Sequence, residues 1–316
     1  MAAPRLISCV LALATLTACS TSQLGPTGGE PRASGVAGAG GTSANGSTPA
    51  PSPSTLTPEA YRAQLDTSRK SVQEALNAMA GARSPKSLNK GVERAETALN
   101  DAADSLSAMA PPADMQAQHQ TFVTSLRELA TELGSTAGKV SGRNLCTSSA
   151  VLTDLGAPLK SLDSAGQALQ ADVVSVKPAA KKNRRLGNGS YVKRSTSFTG
   201  RSYLEIDNGG SRDAVVTLLK GGSKQFSVYV RRKSKFKVRG IRDGSYKIYF
   251  THGVDWDGKA RSFTRECSFE RFEKSVKFKT TYTATQILWH DWTVTLHAIS
   301  GGNAKTDDVD PDSFPK

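Results

Sequence analysis

The residues best suited to chemistry form a basic run from Arg231 to Arg239, which reads Arg-Arg-Lys-Ser-Lys-Phe-Lys-Val-Arg. Alternate residues of a β-strand share a face, about 7 Å apart. Four cations would therefore line one side of a strand: Lys233, Lys235, Lys237 and Arg239. With Arg231 they could bind repeated phosphates, because an arginine holds such a group through two hydrogen bonds. The alternative is a solvated strand face, whose lysines protect a sheet edge from aggregation.

Two carboxylates, Asp255 and Asp257, flank Trp256 in a loop that ends in glycine. Hard cations such as Ca²⁺ bind several oxygens, so this pair could contribute to a cation site but is too small to form one. An ordinary loop, with the tryptophan covering the end of a sheet, explains the same residues. We therefore expect no metal and no cofactor.

The histidines offer a second possible chemistry. His290 is next to Asp291, but neighbours on a strand point to opposite faces and cannot form a catalytic pair. The flanking Trp289 and Trp292 could stack on a sugar ring or pack in a core. The sequence has no nucleophile elbow, phosphate loop or zinc pattern. One enzymatic hypothesis is an envelope hydrolase with four side chains in a cleft between two domains: His252, Asp255, Asp257 and His290.

A short apolar run, Leu6–Leu16, follows Arg5 and leads into Leu16-Thr17-Ala18-Cys19. It is too short to span a bilayer, which needs about 20 apolar residues, and is typical of a signal peptide. Its end resembles the lipobox of bacterial lipoproteins. That resemblance implies that residues 1–18 are removed and that Cys19 carries lipid, which holds the chain on the extracytoplasmic face of the cell membrane. The alternative is a plain signal peptide with an incidental cysteine.

Two further cysteines, Cys146 and Cys267, belong to the part of the chain expected to fold. Disulfides persist in exported proteins, so these two could form a bridge that clamps the predicted domains together. Two separate buried thiols are the alternative, because a sequence does not show whether the Cβ atoms approach each other.

The elements that would position these residues differ along the chain. Residues 19–57 are rich in Gly, Ser, Thr, Ala and Pro and predict a disordered tether. Residues 58–176 carry four segments with apolar residues at alternating spacings of four and three, which predicts an antiparallel four-helix bundle. His119 lies on one apolar seam and is expected to be a core histidine. Residues 177–189 form a basic linker.

Residues 190–305 alternate with the period of strands and contain glycine-rich turns, which predicts an antiparallel β-sandwich. An acidic tail, 306–316, is expected to be frayed. The stretch 236–250 is similar to the apolar-x-apolar-x-Gly-Leu-x-x-Gly-x-Tyr-x-apolar signature of prealbumin-like sandwiches, including carboxypeptidase regulatory-like domains. The resemblance implies that Ile241 plugs the sandwich and that Tyr246 anchors a strand. Members of that family are mostly accessory or adhesive modules.

The distribution of charge points to the class of partner. From residue 178 onward the sequence holds 27 Lys and Arg against 14 Asp and Glu, which accounts for the whole net charge of +13. A one-sided basic surface favours anionic partners such as wall polymers or phospholipid head groups, and a partner protein is a further candidate. Nucleic acid is disfavoured because few aromatic residues interleave the basic run. We expect an α+β, lipid-anchored extracytoplasmic binding or scaffold protein rather than an enzyme.

Overall fold

The computed structural model describes residues 55–178, 180–194, 198–297 and 305–315. The predicted signal peptide, Cys19 and most of the predicted tether lie outside them. The fold is α+β, with helices first and strands after them. No helix in these ranges combines the length and the apolar character needed to cross a bilayer. The α-helices are α1 (Pro58–Ala80), α2 (Pro85–Ser107), α3 (Gln116–Ser141), α4 (Ser148–Asp154) and α5 (Gly156–Ala168).

Local capping explains where the first two helices begin. The Thr57 side chain accepts a hydrogen bond from the Ala60 N–H at 3.3 Å, and Ser84 forms a capping box with Ser87. A proline follows each cap, at a position where a helix needs no backbone N–H. Helix α1 packs on α2, α2 on α3 and α3 on α5, and together they bury a core rich in leucine and alanine.

The described residues contain five α-helices, whereas the sequence predicts four. The fourth predicted segment divides at Leu155, between α4 and α5. Pro158 gives a physical reason, because it has no N–H to donate to the carbonyl of Asp154 four residues earlier. The last part of the helical region is therefore two short helices instead of one long one.

His119 is buried in the helical core, as its place on the apolar seam predicts. Its Nδ1 lies 2.9 Å from the Tyr61 hydroxyl. Burial lowers the pKa of His119 below its usual value, so the ring is neutral at pH 7. The hydrogen bond and the tilted ring contact with Tyr61 give this histidine a packing role.

Within the part of the chain that the structure describes, the strands form three sheets. The largest has the order β1-β4-β3-β6-β7-β12, with β8 also paired to β6; a second has the order β11-β2-β5, and β9 pairs only with β10. All pairs are antiparallel except β11 with β2. The strands are β1 (Tyr191–Arg194), β2 (Ser202–Asn208), β3 (Asp213–Lys220), β4 (Ser223–Val230), β5 (Ser234–Ile241), β6 (Gly244–Asp257), β7 (Ser262–Phe272), β8 (Val276–Phe278), β9 (Thr280–Tyr282), β10 (Ile287–Trp289), β11 (Trp292–Thr295) and β12 (Thr306–Asp308).

The two larger sheets share one apolar core. Leu204 and Ile206 of β2 belong to the same buried cluster as Val216 of β3 and Phe250 of β6. The period-two pattern of β2 explains this, because its alternate residues are buried. The opposite face of the largest sheet buries a second cluster that contains Tyr229, Trp256, Phe263 and Phe269.

The helical and sheet regions belong to one compact unit. The loop between α3 and α4 lies along the edge of β7, where the N–H of Cys146 donates to Thr264 at 2.8 Å and the N–H of Cys267 donates to Arg143 at 3.0 Å. A disulfide joins Cys146 to Cys267, whose Cα atoms are 6.3 Å apart. The boundary that the sequence predicts between two domains is thus crossed by a covalent bond and by backbone hydrogen bonds.

The expectation of a frayed acidic tail was wrong. Strand β12 extends the edge of β7, and Asp308 forms a two-bond ion pair with Arg143, both contacts being 2.7 Å. Asp307 pairs with Arg271 at 3.0 Å. Phe314 is buried against Phe269. The tail is held because its carboxylates meet arginines and its aromatic residue covers the sheet.

Candidate functional site

A cleft of about 320 Å³ lies between α4, the predicted linker and the neighbouring ends of β6 and β7. Its walls combine hydroxyl groups, cations and carboxylates with apolar residues such as Leu145 and Ala150. The polar residues that line it are Ser149, Thr153, Asp154, Lys181, Lys182, Arg184, Asp255, Asp257, Thr264 and Arg265. Both the helical and the sheet regions contribute residues to this cleft.

Arg184 fastens the linker to the floor of this cleft. Its backbone N–H and Nε donate to one oxygen of Asp255 at 2.7 and 2.9 Å, and Nη2 donates to the other at 2.8 Å. Arg184 Nη1 lies 3.1 Å from Asp257, and Thr264 Oγ1 donates to Asp255 at 2.8 Å. Burial raises the pKa of Asp255, but the bonds from Arg184 outweigh it and hold that pKa at about 2. Both carboxylates are therefore ionised and paired.

Arg185 makes an equivalent contact on the next strand. Its Nε and Nη2 each lie 2.6 Å from an oxygen of Asp213. Asp213 also accepts hydrogen bonds from the hydroxyl of Tyr229 and from the backbone N–H of Arg232. Burial raises the pKa of Tyr229 further above neutrality, so this hydroxyl donates rather than ionises. Successive arginines of the linker thus clamp it to two strands.

These pairs leave the cleft with an excess of positive charge. Arg184 contacts both Asp255 and Asp257 and balances one of their two charges, and Asp154 is paired with Lys139 at 2.7 Å. The lining also holds Lys181, Lys182 and Arg265, so its cations outnumber its carboxylates. Lys181 and Lys182 are exposed at its rim, and neither has a carboxylate within 4.0 Å among the residues that the structure describes. An anionic group that entered the cleft would meet cations without displacing a carboxylate of the protein.

The four side chains of the hydrolase hypothesis are divided among separate contacts. His252 Nδ1 lies 3.9 Å from Glu270, and that histidine holds the pKa of Glu270 below its usual value. Asp255 and Asp257 bind Arg184, while His290 is exposed with Nδ1 3.3 Å from the Lys279 carbonyl. Across the described residues, no three His, Cys, Asp or Glu side chains are grouped as metal ligands would be. The contacts of His252 and His290 are thus separate from the pair that Asp255 and Asp257 form with Arg184.

The basic run on β5 is compensated by its neighbour. Lys235 pairs with Asp207 at 2.9 Å and Lys237 with Glu205 at 3.0 Å, because β2 places those carboxylates directly opposite. Lys237 also lies 4.1 Å from the ring centre of Tyr203. At Lys235 and Lys237, the predicted row of cations on β5 is therefore a ladder of alternating charges with the carboxylates of β2.

The outer residues of the basic run have separate positions. Lys233 is in the turn before β5 and donates to the Gly209 carbonyl at 2.7 Å. Arg231 Nε donates to the Leu186 carbonyl at 2.8 Å, so it holds the linker. Arg239 is exposed and lies opposite Tyr203. Anion binding by these five residues stays a prediction.

Comparisons with known proteins add no identification. No family profile, no curated protein and no solved structure matches the chain. Inside the stretch that resembles prealbumin-like domains, Ile241 is buried and the Tyr246 hydroxyl donates to the Arg242 carbonyl at 2.7 Å. Gly244, between them, has a φ of 151°, and a Cβ there would lie 2.6 Å from Lys220 Cε. These contacts agree with the roles that the resemblance implies, while family membership stays a prediction.

Proposed function

We propose that this protein is held by lipid on Cys19 at the extracytoplasmic face of the cell membrane, where it binds anionic envelope polymers without catalysing a reaction. The resemblance of residues 16–19 to a lipobox and the charge of the C-terminal half support this proposal. We further propose that the two larger sheets form a prealbumin-like sandwich, which their shared core supports. The helical region would then serve as one wall of the binding site.

The observation that carries the proposal is the charge balance of the cleft. Its carboxylates are bound by Arg184 and Lys139, whereas Lys181 and Lys182 lie exposed at its rim. Ligand sites commonly occupy about 300 to 1,000 Å³, so a volume of about 320 Å³ suits one phosphate-bearing or carboxylate-bearing repeat unit. The hydroxyls of Ser149 and Thr153 supply further polar contacts for such a unit.

A binding comparison between two double variants tests this proposal. A chain that begins at Ser20 keeps every described residue, and a soluble poly(glycerol phosphate) serves as the polyanion. Lys181→Gln/Lys182→Gln should weaken binding about tenfold at low salt, because two exposed charge contacts are lost. Lys235→Gln/Lys237→Gln removes the same formal charge from the ladder on β5, where carboxylates already neutralise it, and should weaken binding less than about twofold.

The reverse ranking of these variants would assign binding to the ladder on β5 and contradict a role for the cleft. Equal losses of affinity in the two double variants would show that polyanion binding depends only on the net charge of the protein. Unchanged melting temperatures serve as the folding control, since all four lysines are at least partly exposed. High salt should reduce the affinity of the unchanged protein, because exposed charge contacts are screened beyond about 10 Å at 0.1 M salt.

A further inference from the structure

The hairpin β9–β10 and the first residue of β11 carry the large apolar side chains that the described residues leave exposed. These are Tyr282, Ile287, Leu288, Trp289 and Trp292, with exposed fractions from 39% to 70%. Elsewhere in the described residues such side chains are buried or partly buried, including Trp256 at 4%. Single exposed apolar residues are ordinary, whereas a cluster of them marks an interaction surface.

The composition of the hairpin is that of a membrane interface. The ten residues from Thr280 to Trp289 carry no charge, in a chain with 69 charged residues overall. Tyrosine and tryptophan prefer the boundary between lipid head groups and acyl chains, because their rings are apolar with a polar edge. Tyr282 is paired with Ile287 across the ribbon, so these two share a face with Trp289, while Leu288 lies on the other.

The hairpin has a fixed base and a projecting turn. Asp243 accepts hydrogen bonds from the N–H and hydroxyl of Thr280 at 2.7 and 2.8 Å. Asp291 accepts one from the N–H of Tyr203 at 2.8 Å, and Trp292 Nε1 donates to the Lys277 carbonyl at 3.0 Å. Because the base is already ordered, binding through this hairpin would cost little conformational entropy.

The charges around the base favour an anionic lipid surface as the occupant. Lys277 and Lys279 point outward from the strand whose Val276 and Phe278 are buried. The carboxylates of Asp243 and Asp291 keep their charge at this base, but a third lysine joins it, because Lys220 Nζ donates to the Asp243 carbonyl at 2.7 Å. The three lysines outnumber the two carboxylates. An apolar tip with lysines behind it matches acyl chains with anionic head groups above them, because lysines close to such a surface are attracted to its negative charge.

We propose that the hairpin β9–β10, residues 280–289, inserts into the head-group layer of an anionic phospholipid membrane, with Trp292 at its base. The β region would then contact the same membrane to which the lipid on Cys19 is proposed to attach the chain. The hairpin would be a second and weaker attachment. The inference rests on the proposed location. Its test uses a chain without Cys19 and pure lipid vesicles, so it fails or succeeds separately from lipidation and polymer binding.

Tryptophan fluorescence reports on this hairpin directly. The chain has three tryptophans, of which Trp256 is buried and Trp289 and Trp292 are about 45% and 40% exposed. Mixing the chain that begins at Ser20 with phosphatidylglycerol vesicles should shift the emission to the blue and protect it from acrylamide. Ile287→Ser/Leu288→Ser keeps all three probes and should lower vesicle partitioning at least tenfold, because two large apolar side chains no longer leave water.

A charge comparison completes the test. Lys277→Gln/Lys279→Gln should weaken binding to phosphatidylglycerol vesicles about tenfold at low salt, whereas Lys235→Gln/Lys237→Gln should leave it within about twofold. Unchanged emission with vesicles would overturn the proposal, as would vesicle binding that Ile287→Ser/Leu288→Ser does not weaken. A blue shift that grows with protein concentration in the absence of lipid would instead assign the hairpin to contact between copies of the chain.

Discussion

Replacing Cys146 and Cys267 together with alanine is expected to lower the free energy of unfolding by about 4 to 5 kcal/mol. The bridge spans 121 residues, and closing so long a loop removes much conformational entropy from the unfolded chain. It also joins the helical region to β7 beside only a few backbone hydrogen bonds. Urea denaturation of the chain that begins at Ser20 measures this change through the shift of the midpoint.

Reduction provides the matched control. The unchanged protein in excess dithiothreitol should unfold at the urea concentration of the double alanine variant, and the reductant should not affect that variant. If reduction lowered the free energy of unfolding by less than about 1 kcal/mol, the disulfide would not be what holds the helical and sheet regions together. Protease cleavage within 177–189 should rise after reduction, since the linker is then fastened only by Arg184, Arg185 and their neighbours.

Arg184→Ala is expected to lower the free energy of unfolding by about 2 to 3 kcal/mol. The change leaves Asp255 buried at 6% exposure with its strongest partner removed. Breaking a buried pair costs about 3 to 5 kcal/mol, and the partial exposure of Arg184 reduces that figure. Lys235→Ala, at an exposed ion pair with Asp207, is the comparison and should change stability little.

The pH dependence separates this electrostatic loss from a packing defect. In the unchanged protein the pKa of Asp255 is about 2 against 3.8 in the unfolded chain, so its contribution is full above pH 3.8 and is lost as pH falls through about 2. In Arg184→Ala the unpaired buried carboxylate has a raised pKa and takes up a proton earlier. The difference in the free energy of unfolding between the unchanged protein and Arg184→Ala should shrink as pH falls below about 5. A difference that stays constant to pH 3 would indicate lost packing instead.

The regions of helices and of strands could largely be predicted from the sequence. The sequence predicts helices up to residue 176 and strands from residue 190, and in the structure α5 ends at Ala168 and β1 begins at Tyr191. Apolar periodicity is a local property, so a sequence carries it directly. The break between β8 and β9 is not local, because there the Thr280 N–H donates to Asp243 instead of continuing the pairing with β6.

The candidate site was harder to predict from the sequence, because its residues pair with partners that are far away along the chain. The basic run predicted a row of cations on one strand face, but the register of β2 with β5 places Glu205 and Asp207 opposite two of its lysines. Arg184 and Arg185 were assigned only to a basic linker, although their place in the run Lys-Lys-Asn-Arg-Arg was a signal. Their partners lie 71 and 28 residues away along the chain. No local pattern encodes such separations.

Metabolic labelling with radioactive palmitate tests the central claim most directly. Acylation of Cys19 predicts label on the unchanged protein, none on Cys19→Ala, and release of that variant from membranes by an alkaline carbonate wash. The wash distinguishes acyl chains, which give stable attachment when two or more are present, from the weaker contact proposed for the hairpin. An unlabelled wild-type protein, or a Cys19→Ala variant that resists the wash equally well, would contradict lipid attachment at this residue.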